Sequence, residues 1–398
     1  MTRTPRALIA SRVFEPEGSA AAYRLGALAR SLERAGYRVT VLTTRSSVDA
    51  SSTSRVRRWP VLRDKSGAVR GYLQYASFDI PLFFRLLFSP RADVVIAEPP
   101  PTTGVVTRVA CWLRRTPYVY FSADVTSAAV SGMGAPRFVV SMVRMLERWT
   151  LRGASAVLAI SPGVRREVVA LGADPTRVTV VGTGIDTERF SRSGATRAVD
   201  YPYFVYAGTM SEFQGAEVFV DAFMLICDRY PTAELFLFGS GVEVDALKVR
   251  SQTLSHRIHF PGTVTADEIA KWMRGATASL ASIRPDRGYD FALPTKTLAS
   301  ISCGVPVIYS GVGPFGEMIT QNSLGWSTSW DADAVAAAMA EALDRGKTAP
   351  SPRLSEWVER NFSLTAVADR AVLAIRSAVP GPTTATESGQ SHPDQTSR

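Results

Sequence analysis

Short runs of β-branched and other apolar residues alternate along this chain with longer segments in which apolar residues recur every three or four positions. That is the pattern of parallel α/β layers. In the first half, Ala7 to Val13, Arg38 to Leu42, Val94 to Ala97, Tyr118 to Phe121, Ala156 to Ile160 and Val178 to Val181 predict strands. They are apolar nearly throughout, as strands covered by helices on both faces require. Between the first two, Leu25, Leu28, Ala29 and Leu32 mark a helix over 19–35, with Ser19 as its N-cap and Gly36 just past its end. The pattern restarts with Tyr203 to Ala207, Glu234 to Phe238, Arg257 to Phe260, Ala278 to Ile283 and Pro306 to Ser310. The polar, aperiodic stretch 188–201 separates the halves. The fold class predicted is α/β, two doubly wound Rossmann-like domains facing a central cleft. The expected organisation is a first domain over 1–187, a linker over 188–201 and a second domain over 202–360. A helix over 361–379 follows, with the first domain as its candidate docking face, and then a tail over 380–398 too poor in apolar residues to order itself.

Composition narrows the classes. The 398 residues exceed what one core usually organises, and 46% hydrophobic with 20% charged residues describes a folded chain. Three cysteines, Cys111, Cys227 and Cys303, offer no disulfide framework and favour a reducing compartment. The apolar stretch after Met1 to Arg6 is broken by Arg12 and Glu15, and no uncharged apolar run reaches about 18 residues. Neither a signal peptide nor a spanning helix is expected, which points to the cytoplasm. A net charge of +9 invites a polyanionic partner: nucleic acid, anionic lipid or a phosphorylated ligand. The arginines are scattered among acidic residues and no nucleic-acid motif is present, so nucleic acid is set aside. The most apolar segment, Phe78 to Phe88, lies downstream of Arg55, Arg57, Arg58, Arg63, Lys65 and Arg70. It reads as a buried helix under a basic loop, or as a helix lying on an anionic membrane.

Doubly wound sheets bind ligands at the carboxyl ends of their strands, so the loops after strands hold the candidate chemistry. Gly18 and Ser19 open the first helix, but without the three glycines of a dinucleotide fingerprint. Gly208-Thr209, Gly239 and Gly262 with Val264 follow successive strands of the second half, where a glycine lets a ligand approach the main chain. Each alone is equally readable as a plain turn. Pro294-Thr295-Lys296 is more specific: proline suits a first helical turn, and an anion there would meet free amides, a hydroxyl and an ammonium together. A short helix with a surface lysine is the bland alternative. None of His256, His259 and His392 falls at a catalytic position; His259 reads as a strand residue.

In order and spacing these segments resemble the family 4 glycosyltransferases, retaining enzymes of the GT-B architecture, over about Ala7 to Val379. The residues carrying the resemblance are Gly18 to Gly36 with Tyr37 to Thr43, Ala156 to Ser161 with Val181-Gly182-Thr183-Gly184-Ile185-Asp186, and Tyr206-Ala207-Gly208-Thr209 with Gln214-Gly215. Pro294-Thr295-Lys296, Gly304 to Ile308 and Gly316-Glu317 complete the set, and the branch it is most similar to has a Pro-Ser/Thr-Lys donor segment. The resemblance implies a nucleotide-sugar donor held by the second domain and a glycan, lipid-linked or small-molecule acceptor held by the first. It implies transfer with retention in envelope polysaccharide or glycoconjugate synthesis, with no cofactor and no obligatory metal, at the cytoplasmic side of the membrane. Asp124, Arg284 and Lys296 are its candidate catalytic residues; Gly18, Ser19, Gly208, Thr209, Gly239, Gly262, Val264, Pro294 and Thr295 are its candidate donor-binding residues. The chain departs from the pattern where Phe291 and Ala299 stand in place of two glutamates, the second usually on the donor ribose, and where Thr209 and Gln214 replace an arginine and a lysine. Two other readings stay open: a noncatalytic nucleotide-sugar-binding homologue, and a nucleotide-sugar epimerase, which would need acid/base groups in the cleft.

Overall fold

The computed structural model describes residues 3–17, 19–45, 55–64, 69, 71–132, 135–197, 199–285, 293–346 and 349–379. Gly18, Phe291, Lys65, Arg70, His392 and the tail therefore lie outside the described residues.

The first half forms a parallel sheet of seven strands: β1 (Arg6–Ala10), β2 (Arg38–Thr44), β3 (Arg55–Trp59), β4 (Val94–Ala97), β5 (Tyr118–Ser122), β6 (Ala156–Ala159) and β7 (Val178–Val180). Their order is β3-β2-β1-β4-β5-β6-β7, with Ala7 opposite both Val39 and Val94. The helices between them are α1 (Ala20–Arg34), α2 (Tyr72–Phe88), α3 (Pro101–Arg114), α4 (Thr126–Gly132), α5 (Arg137–Gly153) and α6 (Pro162–Ala170). The second half repeats the plan with β8 (Tyr203–Ala207), β9 (Glu234–Phe238), β10 (Ile258–Gly262), β11 (Ala278–Ile283), β12 (Val307–Gly311) and β13 (Gly325–Thr328), ordered β10-β9-β8-β11-β12-β13. Its helices are α7 (Glu217–Ile226), α8 (Val244–Arg250), α9 (Ala266–Gly275), α10 (Thr295–Ser302), α11 (Pro314–Gln321), α12 (Ala332–Asp344), α13 (Pro352–Phe362) and α14 (Leu364–Ala378). Both sheets reverse winding next to their first strand, between β1 and β4 and between β8 and β11, where crevices open in this class of fold.

Two strands escape the sequence pattern. β3, Arg-Val-Arg-Arg-Trp, is an edge strand, and its arginines break the apolar run that marks a central strand. β13 is a short polar edge strand that pairs only with β12. Two segments connect the halves. After the first sheet the chain crosses at Ile185, whose N–H bonds the carbonyl of Phe362 at 2.7 Å while its own carbonyl accepts from Leu364 at 3.0 Å. At that point α14 returns to the first sheet and buries Val367, Ala371, Val372 and Ile375 against Ile9, Leu25, Leu28 and Leu32. The apolar helix α2 is split by face: Phe78, Leu82 and Leu86 are buried, whereas Ile80, Phe84 and Phe88 are exposed. Among the described residues no helix is long and apolar enough to cross a membrane.

Candidate functional site

Three neighbouring strands of the second sheet finish in glycine side by side. The N–H of Gly208 bonds the carbonyl of Phe238, and the N–H of Gly239 bonds that of Gly262, both at 2.9 Å. Gly239 has φ +127°, and a Cβ there would stand 2.0 Å from the carbonyl oxygen of Gly208. Only glycine allows the two loops to lie this close. Beyond these strand ends opens a recess of about 450 Å³, bounded by Gly208, Thr209, Gly239, Ser240, Thr263, Val264, Thr295 and Lys296. Ile185, Phe190, Ile269, Met273 and Ala299 make its apolar wall. Roomier hollows of about 740 Å³ and 850 Å³ lie beside α14 and β13. Their arginines pair with Asp174 or Glu341, or donate to backbone carbonyls.

The recess has an unanswered charge. Lys296 stands in the first turn of α10, whose leading amides have no intrahelical partners. Its Nζ lies 2.9 Å from the hydroxyl of Tyr206, 2.6 Å from Oε1 of Gln214 and 4.2 Å above the Tyr206 ring. The side chain keeps an edge open to the recess, but protein surrounds the ammonium elsewhere, and burial pushes its pKa down to about 7. Among the described residues no carboxylate pairs with it. A buried cation with neutral hydrogen-bond partners, at the positive end of a helix and beside exposed main chain, is a site for an anion.

Of the residues singled out from the sequence, Gly208, Thr209, Gly239, Val264, Thr295 and Lys296 converge on this recess, and Gly262 ends the strand just before its wall. Pro294 is the residue before α10, with φ −69° and ψ 100°, so Thr295 rather than proline opens the helix. Arg284 is a correction. Instead of lining the recess it pairs with Glu217 and sits 5.7 Å over the ring of Trp330, which leaves its charge neutralised. Ser19 is occupied as the cap of α1, accepting from the N–H of Ala22 at 3.2 Å. Ala299, where the related pattern has a glutamate, is buried and faces the recess. His259 belongs to β10, stacked on Phe236 and bonded to Glu234 at 2.9 Å.

The first domain presents a second polar group at the carboxyl ends of its strands. Asp124, just after β5, is exposed, yet the surrounding chain raises its carboxyl pKa against the opposing charges of Arg24 and Arg12. Arg24 itself is buried in an ion pair with Glu98 at 2.6 Å, and Glu98 also accepts from Ser11 at 3.2 Å. Tyr23 on α1 hydrogen-bonds Arg189, which reaches Asp267 of the second domain at 3.1 Å, so the halves also meet through polar side chains. The sequence marked Tyr206 and Gln214 only as part of the family resemblance, without a role, and gave Arg24 and Glu98 none. Glu98 leaves a signal of its own, as a carboxylate directly after a central strand. Among the described residues no group of three or more histidine, cysteine or acidic side chains is placed to hold a metal.

Both halves of the chain match known families. Residues 19–184 match the glycosyl transferase 4-like domain, and residues 201–345 match the glycosyl transferases group 1 family. The chain is 28% identical over 196 residues to a D-inositol 3-phosphate glycosyltransferase of Paenarthrobacter aurescens, which covers 45% of this chain and 46% of that protein. It is 23% identical over 206 residues to a glycogen synthase of Mycobacterium tuberculosis, covering 51% and 49%. The chain thus spans about half the length of the curated relatives it matches. Among solved structures, HepE of Anabaena, bound to UDP and glucose, superposes with a TM-score of 0.65 at 16% identity, covering 93% of this chain and 99% of that one. Sucrose-phosphate synthase of Thermosynechococcus elongatus gives 0.70 at 18%, covering 94% and 99%. The architecture is GT-B.

Proposed function

The chain joins a glycosyl transferase 4-like domain to a glycosyl transferases group 1 domain, and from that premise we propose that it moves a sugar from a nucleotide-activated donor to a glycan, lipid-linked or small-molecule acceptor. One observation carries the proposal: the unpaired, half-buried ammonium of Lys296 at the start of α10, facing a recess with bare main chain at Gly208 and Gly239. A sugar diphosphate supplies the missing negative charge. As the glycosidic bond breaks, charge accumulates on the departing diphosphate, and Lys296 with the α10 amides is arranged to stabilise it without a metal. Thr295 adds a hydroxyl, and the Pro294-Thr295-Lys296 segment supports a place for the chain in the Pro-Ser/Thr-Lys branch. The wall of Ile185, Phe190, Ile269, Met273 and Ala299 suits the flat face of a base and the carbon side of a ribose.

The acceptor lies against the first domain with Asp124 as its polar contact, and transfer retains the anomeric configuration. UDP in the related Anabaena structure supports a nucleoside diphosphate as the group recognised. The protein works at the cytoplasmic side, with a peripheral contact to anionic membrane that brings it to lipid-linked acceptors. A specific pair of observations favours a second reading, a binder that does not transfer: Ala299 offers the ribose no carboxylate and Arg284 is held by Glu217. The test incubates the full chain with a panel of nucleotide sugars and measures release of nucleoside diphosphate with and without candidate acceptors. Turnover that falls at least about a hundredfold in Lys296→Met is expected for loss of a charge-stabilising contact. Tight nucleotide binding with no release from any donor would establish the binder instead.

A further inference from the structure

Helix α5 carries an apolar stripe that is largely exposed in the described structure. Phe138, Met142, Met145 and Trp149 recur at steps of four, three and four, which keeps them on one side of the helix, and they are 73%, 44%, 62% and 40% exposed. The helix packs inward through Glu147, Thr150 and Leu151 instead. Alongside the stripe runs a row of exposed arginines, Arg137, Arg144, Arg148 and Arg152, none paired with a described carboxylate.

The charge is one-sided. Helices α2 to α5 contain two carboxylates, Asp79 and Glu147, and both are buried: Asp79 accepts from Thr103, and Glu147 from the N–H groups of Thr126 and Ser127. The adjoining α3 adds an exposed Trp112, and its Arg108 guanidinium lies 4.1 Å over the ring of Trp149. We propose that α5 is a membrane-docking helix that lies in the plane of an anionic bilayer, its Phe138–Trp149 stripe in the headgroup–acyl boundary and its arginine row on the lipid phosphates. A second copy of the chain would bring like-charged rows together, whereas an anionic lipid surface answers stripe and row at once. The inference rests on the peripheral-membrane part of the function proposed above and not on sugar transfer. It places the contact on α5, where the sequence had pointed to Phe78 to Phe88 of α2.

The test is flotation of the full chain with vesicles of phosphatidylcholine alone and of equal parts phosphatidylcholine and phosphatidylglycerol. The protein is expected to float with the anionic vesicles and not with the neutral ones. Arg144→Glu with Arg148→Glu should weaken partitioning at least about 25-fold, at about fivefold per arginine. Phe138→Ser with Met145→Ser should also abolish flotation, and both pairs should leave the melting temperature unchanged because the side chains are exposed. A third variant, Phe84→Ser with Phe88→Ser on α2, separates the two helices. If it alone loses flotation, the membrane reading stands and the α5 face is overturned. If the wild type floats with neither vesicle, both fall. A sedimenting dimer that Phe138→Ser with Met145→Ser dissolves, without vesicle binding, would make the stripe a protein interface and overturn the proposal.

Discussion

At the scale of single residues, the Lys296 ammonium has surroundings organised for a negative charge that a ligand brings. Burial holds the Lys296 pKa at about 7 in the folded, ligand-free chain, against 10.5 when exposed. Between those values the unfolded chain binds the extra proton, so this group adds stability as pH rises through the window; below about 7 both states are charged and the full burial penalty remains. A bound phosphate reverses the balance by keeping the ammonium protonated. Above pH 7, diphosphate binding must then take up a proton and weaken by as much as about tenfold per pH unit. Calorimetry at pH 8 in two buffers of different ionisation heat should report that uptake in the wild type and none in Lys296→Met. The lysine was legible in the sequence as a cation at a helix start, but its isolation was not. The partners Tyr206 and Gln214 are distant in the chain, and Arg284, which looked like a second cation, meets a carboxylate that only the fold brings to it.

At the scale of elements, the central strands were the easiest to read, because burial on both faces leaves continuous apolar runs: β4, β8, β9 and β11 match their predicted bounds, whereas the edge strand β10 runs on to Gly262, two residues past its predicted end. The edge strands β3 and β13 were hidden because an edge tolerates arginine and polar residues. Helix starts are where structure and function compete for the same residue. Ser19 was expected to meet the donor, and its hydroxyl already accepts from the N–H of Ala22. Ser19→Ala is therefore expected to cost about 1 kcal/mol of stability in ligand-free protein, measurable by urea unfolding, with a small effect on nucleotide affinity. An unchanged unfolding midpoint with lost affinity would return Ser19 to the donor site.

At the scale of the whole molecule, the two sheets are stitched together twice, at Ile185 and at Phe362 to Leu364, and these crossings hydrogen-bond each other. Ile185 also lines the recess, so a change in the angle between domains acts directly on the wall proposed for the nucleotide. The duplicated architecture could be read from the restarted strand pattern. The first domain was also the candidate docking face of α14, but the residues it meets could not be read, because they lie on α1 more than three hundred positions earlier. Ile375 is fully buried there, and Ile375→Ala should destabilise the first domain by about 2–5 kcal/mol, lowering its melting temperature while leaving nucleotide contacts in the second domain in place.

The central claim is that Lys296 awaits the diphosphate of a nucleotide. It is tested most directly by titrating UDP, GDP, ADP and dTDP into the full chain and into Lys296→Met at pH 7, with the ligand-free melting temperatures measured alongside. One nucleoside diphosphate is expected to bind the wild type at least about tenfold more tightly than the variant, the difference a charge-assisted contact makes. The ligand-free variant is expected to melt no lower, since a buried amine with no carboxylate partner has been removed. Equal affinity in both proteins, or a marked loss of stability in the ligand-free variant, would contradict the claim.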